Sequence, residues 1–535
     1  MFAPLPSPAE MSGWDRAAID LGLPELLLME NASREALHVL SAETGHMPGK
    51  RVLLFMGGGN NGGDAACLAR HLHDGGAEVL VLHTRPLGAY RGVTGQHVRL
   101  ARRCGVAFAP AAGWPEKYRN TPWDVYADAS VCERGGPDIV VDGILGTGFS
   151  GSLRPLELGL VARINALAQR AFIFSLDIPS GLSGLTGRPC PVAVRAHATV
   201  TFEAAKPGLV LPEAAPYTGR LHIRPIGIPA VARREHPASY QMITKAIAGA
   251  FPEAAPGWHK GTAGAILIVG GSEGLTGAPH LAARAALRAG GGLISVAAPH
   301  GLCPDIMTRA LGPAGNVRWS PALLEELLPF LRQCGAMALG PGIGREPETA
   351  AFVQALLMCP SRPSAVVDAD ALHALAMHPE ALSSLRACDV LTPHPGEAAT
   401  LLHTTPALVQ ADRFAALAGL RRLAPSVWIL KGAGTLIGTE GQPVTIAPYA
   451  EPNLAVGGSG DVLSGCLGTL MAQTAAHPSE GCESSSFLAA CMGVHLHARA
   501  GRLLREAFPQ RGNSATDIAE MLPRARIREA AGDGA

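Results

Sequence analysis

The sequence predicts two α/β domains, each built on a parallel sheet covered by helices on both faces. Apolar runs of about five residues alternate with helical patterns of ten or more, which is the grammar of βαβ units. One opening phrase also occurs twice: an apolar run, a glycine-rich turn, then an alanine-rich helix, first from Arg51 and again from Ala265. Between them, Gly227-Ile228-Pro229 through His236-Pro237 is proline-broken and basic, with no sustained apolar period. At 535 residues the chain is too long for one core, so we place domains at 1–235 and 236–535.

Taken in order, the first domain reads as strands over 51–56, 78–82, 138–142, 171–177 and 198–202. Its helical patterns fall over 64–74, 93–103 and 157–169. The second reads as strands over 265–269, 292–297, 335–339, 364–368, 388–391 and 426–430. Helical patterns there cover 278–289, 321–332, 347–357, 406–419, 461–473 and 484–502.

Composition narrows the class. The chain is 47% apolar and 16% charged, enough for buried cores and far from a disordered chain. Lys+Arg 44 balances Asp+Glu 44 and aromatics are only 5%, so neither an electrostatic footprint for nucleic acid nor a base-stacking surface is present. The 11 cysteines sit singly with no C-x-x-C pair, which fits a reducing compartment. Asp15, Arg16 and Asp20 interrupt any leader-like apolar region, and no uncharged stretch is long enough to span a bilayer. The expectation is a cytoplasmic protein with no membrane or nucleic-acid partner.

The first glycine-rich turn runs Gly57-Gly58-Gly59-Asn60-Asn61-Gly62-Gly63-Asp64. Glycines there would let an anion approach backbone N–H groups at a helix start, although a bare βα turn explains them as well. Two amides and a carboxylate add polar groups that a bare turn does not need. Asp142-Gly143-Ile144-Leu145-Gly146-Thr147-Gly148-Phe149-Ser150-Gly151 follows a second strand, and Asp177-Ile178-Pro179-Ser180-Gly181 a third. Each puts a carboxylate at a strand's C-terminal end, where open parallel sheets bind ligands. Taken singly, each aspartate fits a turn or cap equally well. Their oxygens also suit a hard cation.

In this order and spacing the three motifs resemble the NAD(P)H-hydrate epimerase domain of the YjeF N-terminal type, over roughly residues 10–230. The resemblance implies a Rossmann-like three-layer fold. It implies that Asn60, Asn61, Gly62, Gly63 and Asp64 hold the hydrated nicotinamide nucleotide with Gly146, Thr147, Gly148, Phe149, Ser150, Gly151 and Ser152. It further implies potassium on Asn61, Asp142 and Ser180, with Asp177 nearest the epimerising carbon. Ala65 departs from the glycine usual at that place, a benign change at a helix start.

The second half carries Asn453-Leu454-Ala455-Val456-Gly457-Gly458-Ser459-Gly460-Asp461 ahead of a helical pattern. Backbone N–H groups at that helix start would receive a transferring phosphoryl group beside Asp461 as base, or Ser459 and Asp461 would simply cap the helix. Other strand ends lead into Lys431-Gly432-Ala433-Gly434-Thr435, Thr392-Pro393-His394-Pro395-Gly396-Glu397, Gly340-Pro341-Gly342-Ile343-Gly344 and Asp368-Ala369-Asp370.

Together these resemble the ADP/ATP-dependent NAD(P)H-hydrate dehydratase domain, of ribokinase-like α/β fold, from about His259 to the C-terminus. The resemblance implies that Ala278, Gly342, Gly344, His394 and Asp461 face the hydrated nucleotide. Lys431, Gly432, Ala433, Gly434, Thr435 and Gly460 would hold ADP, with ATP as the other candidate, and Mg²⁺ would accompany it. The whole would be a bifunctional repair enzyme. It would interconvert the epimers of hydrated NADH and NADPH and dehydrate the S form; a homo-oligomer stays open. Three rivals stand beside it: a ribokinase-like small-molecule kinase fused to a non-catalytic nucleotide-binding domain, a binding scaffold without chemistry in the first half, and a serine hydrolase built on Gly270-Gly271-Ser272-Glu273-Gly274.

Overall fold

The computed structural model describes residues 1–114, 116–118, 136–254, 256–298, 306–313, 318–476 and 485–527. They form two compact α/β units, Pro4–Gln241, and Met242–Ala535 together with Met1–Ala3.

The first unit holds seven parallel strands in the order Ala107–Pro110, Glu78–His83, Arg51–Met56, Ile139–Gly143, Phe172–Leu176, Ala198–Phe202, Arg220–Arg224. Both end strands escape the sequence pattern because their runs are short or mixed with charge. The five inner ones are buried on both faces, as a covered parallel sheet requires. Val52, Leu54 and Met56 enter one core with the helices Glu25–Thr44 and Asn60–Asp74, whereas Leu53 and Phe55 enter the other with Pro155–Leu167. Strand order reverses between Arg51–Met56 and Ile139–Gly143, which opens a crevice at their C-terminal ends.

Several helices differ from the sequence expectation. Pro8–Asp20 and Glu25–Thr44 were not among the expected helices, although Ser7 and Glu10 form a reciprocal cap (2.7 and 3.3 Å) that starts the former. The helix expected from residue 64 begins at Asn60, so Asn60-Asn61-Gly62-Gly63 is its first turn and not a loop. Its glycines serve packing: a Cβ on Gly62 would stand 2.1 Å from the Gly57 carbonyl oxygen. The pattern over 406–419 is two helices, Pro406–Ala411 and Arg413–Arg421, because Asp412 caps the second through the Ala415 N–H at 2.9 Å.

The second unit contains an eleven-stranded sheet. Parallel pairing runs through Met307–Ala310, Leu293–Ala298, Ala265–Val269, Ala336–Leu339, Ser364–Val367, Val390–Leu391 and Val427–Leu430. Thr435–Gly438 and Val444–Ala447 then add antiparallel, and Tyr240–Ile243 with Phe2–Pro4 completes that edge. Order reverses at Ala265–Val269 against Ala336–Leu339, a second switch point. The helices Gly277–Arg288, Ser459–Ala476 and Ser485–Leu503 cover one face; residue 484, where the last was expected to begin, lies outside the described residues. Among the described residues no helix is long and apolar enough to cross a membrane.

Two candidate active sites

In the first unit the crevice is a cavity of about 340 Å³, at the lower end of ligand pockets. Of the expected residues, Asn60, Asn61, Asp64, Gly146, Thr147, Gly148, Phe149 and Asp177 line it. Gly62, Gly63, Ser150, Gly151 and Ser152 are not in its wall, and Asp142 and Ser180 lie buried outside the lining.

Asp177 leaves its strand with φ +61°, a left-handed turn that aspartate tolerates better than most side chains. Its Oδ2 accepts the Thr147 N–H at 2.9 Å, and its Oδ1 accepts Lys206 Nζ at 2.6 Å. A Cβ on Gly146 would stand 2.9 Å from Asp177 Oδ2, so the glycine lets that loop close over the carboxylate. Lys206 is 1% exposed and also donates to Thr201 Oγ1 at 2.8 Å, so its charge is fully committed. Sequence reading missed it; the readable signal was a lone lysine a few residues beyond the buried strand Ala198–Phe202.

Acidic groups crowd the same wall. Burial, with the Asp177 charge behind it, raises the Asp64 carboxyl well above the usual range. Asp15, from the helix Pro8–Asp20, is pushed up to about 6 by burial, against the lowering pull of Lys206. It too was missed, because its helix was.

Outside the cavity lining, Asp142 accepts Ser180 N at 2.8 Å, Ser180 Oγ at 2.5 Å and Ser175 Oγ at 3.0 Å. Burial still raises its carboxyl above the ordinary value. Asn61 Nδ2 donates to the carbonyls of Leu145 (2.8 Å) and Leu176 (3.0 Å), while its buried Oδ1 has no hydrogen-bond partner. An orphaned acceptor beside carbonyl, carboxylate and hydroxyl oxygens fits a cation bound through oxygen.

The second unit gathers its site at the C-terminal ends of four strands. Lys431 Nζ meets Asp368 Oδ1 at 2.7 Å and stands 3.8 Å from Glu397 Oε2, and Ser464 Oγ donates to Asp368 Oδ2 at 2.6 Å. Burial alone would raise Asp368, but Lys431 and Ser464 outweigh it and hold the carboxyl below its usual range. Lys431, expected on the nucleotide, pairs here with Asp368. The Gly432–Gly434 turn is held by Arg413, which donates to the Ala433 and Leu430 carbonyls at 2.6 and 3.1 Å. Thr435 Oγ1 ties back to the Gly432 carbonyl at 2.8 Å.

Asp461 occupies the first turn of the helix Ser459–Ala476, preceded by Gly458 at φ +87°. Burial and the neighbouring Asp368 charge lift its carboxyl to about 7, with Lys431 pulling the other way. Gly460 lies alongside; a Cβ there would be 3.5 Å from Lys431 Nζ. His394 caps its helix by accepting the Gly396 and Glu397 N–H groups on Nδ1 (3.0 and 3.1 Å), which puts its own proton on Nε2, 3.3 Å from Glu397 Oε1. Burial also lifts Glu397 to about 7. Ala278 and Gly342 are neighbours across the switch point, and Gly344 N–H donates to Asp370 at 3.2 Å. Ser272 is buried with its hydroxyl on the Gly342 carbonyl (3.0 Å), five residues before its helix starts at Gly277, so it forms no nucleophile elbow.

Two sheet-edge sites, each centred on an aspartate among fixed donors, define a two-site α/β enzyme for small polar ligands. Sequence models of known families match both units: the YjeF-related protein N-terminus over residues 25–208 and NAD(P)H-hydrate dehydratase over 266–524. A bifunctional NAD(P)H-hydrate repair enzyme from Moorella thermoacetica is 38% identical over 527 residues, covering 96% of this chain and 95% of its own. Its counterpart from Escherichia coli is 31% identical, covering 95% and 91%. A solved ADP/ATP-dependent NAD(P)H-hydrate dehydratase from Bacillus subtilis, crystallised with ATP/Mg²⁺, is 22% identical at TM-score 0.39, over 53% of this chain and 96% of its own. The chain belongs to the bifunctional NAD(P)H-hydrate repair enzymes, an epimerase unit followed by a dehydratase unit.

Proposed function

We propose that Asp177 and Asp461 carry the two reactions, each at the open edge of its own sheet. That placement is the observation on which the reading rests. In the epimerase unit the hydrated nicotinamide ring enters the cavity beside Asp177. Lys206 and the Thr147 N–H fix that carboxylate toward the epimerising carbon. Asn60 and Asn61 contact the nucleotide from the first helical turn, Asp64 from the residue after it, and Gly146 to Phe149 from the facing loop. Asn61 Oδ1, Asp142 and Ser180 would hold potassium, which supplies a fixed positive charge beside the substrate's oxygens.

In the dehydratase unit Asp461 accepts the proton of the substrate hydroxyl as that oxygen takes a phosphoryl group. The N–H groups of residues 458–461 receive the charge that develops on the phosphoryl oxygens. AMP or ADP is released, and loss of phosphate from the ring carbon that bears it, with a proton from its neighbour, then restores the double bond of the nicotinamide ring. ADP or ATP is the donor, held by the Gly432–Gly434 turn and Gly460. Lys431, locked on Asp368, stabilises the sheet edge under that nucleotide. Mg²⁺ would accompany the nucleotide's phosphates and supply charge neutralisation. Singly placed cysteines with no C-x-x-C pair agree with a cytoplasmic setting.

The test is to incubate the protein with mixed hydrate epimers, with and without ADP or ATP, and follow the near-ultraviolet absorbance of reduced nicotinamide. Full recovery only with nucleotide supports the reading. Recovery without nucleotide, or a stable phosphorylated product as a kinase would leave, contradicts it.

A further inference from the structure

Outside both sites, two packed helices of the first unit bring unlike donors to one point. Glu30, on Glu25–Thr44, and Cys67 and His71, one turn apart on Asn60–Asp74, place their ligating atoms within 4.8 Å of one another. Glu30 Oε2 lies 3.2 Å from Cys67 Sγ, and Glu30 Oε1 lies 2.9 Å from His71 Nε2. None of the three lines the cavity.

A cation already stands among them. Arg70 NH2 reaches both Glu30 oxygens (2.9 and 2.7 Å), His71 Nε2 (3.2 Å) and Cys67 Sγ (3.6 Å). Arg70 NH2 thus stands where the three ligand atoms meet, and Glu30 is the common acceptor: the Cys67 thiol donates to Oε2 and His71, protonated on Nε2, donates to Oε1. The fit is imperfect: Arg70 Nε is buried without a hydrogen-bond partner. A second imidazole, His97 on Gly92–Arg103, is buried within electrostatic reach of Glu30, Arg70 and His71. The guanidinium is thus a poorly fitted occupant of the point where the three ligand atoms meet.

We propose that Glu30, Cys67 and His71 form a zinc site, with the Arg70 guanidinium occupying the metal's position until zinc displaces it. Mixed sulfur, imidazole and carboxylate ligation selects zinc over magnesium or calcium, and a cysteine and histidine one helical turn apart suit its tetrahedral angles. On binding, the Cys67 thiol releases its proton to water, Zn–S, Zn–N and Zn–O bonds form, and Arg70 swings toward solvent past the partly exposed Glu30. The site would pin two helices that flank the cavity.

The full chain, stripped with EDTA, is titrated with zinc chloride against a chromogenic chelator, and separately with cobalt(II) while its absorption spectrum is recorded. One equivalent of zinc should bind, and cobalt should show a thiolate charge-transfer band. Cys67→Ser and His71→Ala should each lose that equivalent. Arg70→Ala should tighten it at least about tenfold, because a competing cation is gone. The cobalt spectrum of the unaltered chain stands even where a variant misfolds. No stoichiometric zinc and no thiolate band in the unaltered chain would overturn the proposal. So would an equivalent that survives Cys67→Ser, or one that appears only in Arg70→Ala, which would make the arginine a permanent occupant.

Discussion

A carboxylate is useful as a base only where its surroundings hold its pKa near working pH, and Asp461 meets that condition. Buried beside Asp368 it titrates at about 7, and it acts as a base only when ionised. Dehydration should therefore fall as pH drops through about 7 and level off above it. In Asp461→Asn the rate should fall at least about 10²-fold and that limb should vanish from the pH profile, while epimerisation is unchanged. A profile that stays flat between about pH 6 and 8 in the unaltered chain would remove Asp461 from the role. Lys206 makes a different prediction. Removing one partner of a buried ion pair leaves an uncompensated charge, so Lys206→Met should destabilise the first unit by about 3–5 kcal/mol in urea unfolding. Adding Asp177→Asn to it should restore part of that loss, which a double-mutant cycle reads directly. For the cation, Asp142→Ala should slow epimerisation in a way that raised potassium partly offsets. Unchanged activity with unchanged response to potassium would sink that assignment.

Glycines on different elements should respond oppositely to one substitution. A Cβ on Gly62 would press into the Gly57 carbonyl at 2.1 Å, so Gly62→Ala should cost about 1–3 kcal/mol and most of the epimerase activity. Gly159 lies inside the helix Pro155–Leu167 with nothing within 4 Å, so Gly159→Ala should stabilise by about 0.5–1 kcal/mol and leave both activities alone. Thermal unfolding with parallel assays separates the two. This contrast also explains what the sequence could and could not disclose. Buried parallel strands such as Val52 to Met56 are legible because both faces are apolar and the run is unmistakable. The start of the following helix was misread because two adjacent glycines look like a loop by propensity, while their cause is close packing, Gly62 against the Gly57 carbonyl of the preceding turn and Gly63 against the side chains of Met29 and Thr94. Aspartates at strand ends were legible for the same reason as the strands. Lys206 and Asp15 were not: each acts through a neighbour reached by tertiary folding, Asp177 for one and the cavity wall for the other. The antiparallel strands Thr435–Gly438 and Val444–Ala447 are short, and the glycine turn that precedes them hides their period.

At the scale of the whole chain, two switch points in two sheets carry two separate sites, so loss of one chemistry should spare the other. The epimers make that separable in a single vessel, because only the S form is dehydrated directly. A progress curve on mixed epimers with nucleotide in excess is the most direct measurement. The unaltered protein should restore reduced nicotinamide in one phase. Asp177→Asn should consume the S fraction at the normal rate and then slow to spontaneous epimerisation, giving two phases. Asp461→Asn should stay flat while the epimer ratio still equilibrates. If either substitution abolished both activities in a folded protein, the two-site account would be contradicted and a single shared site would have to replace it.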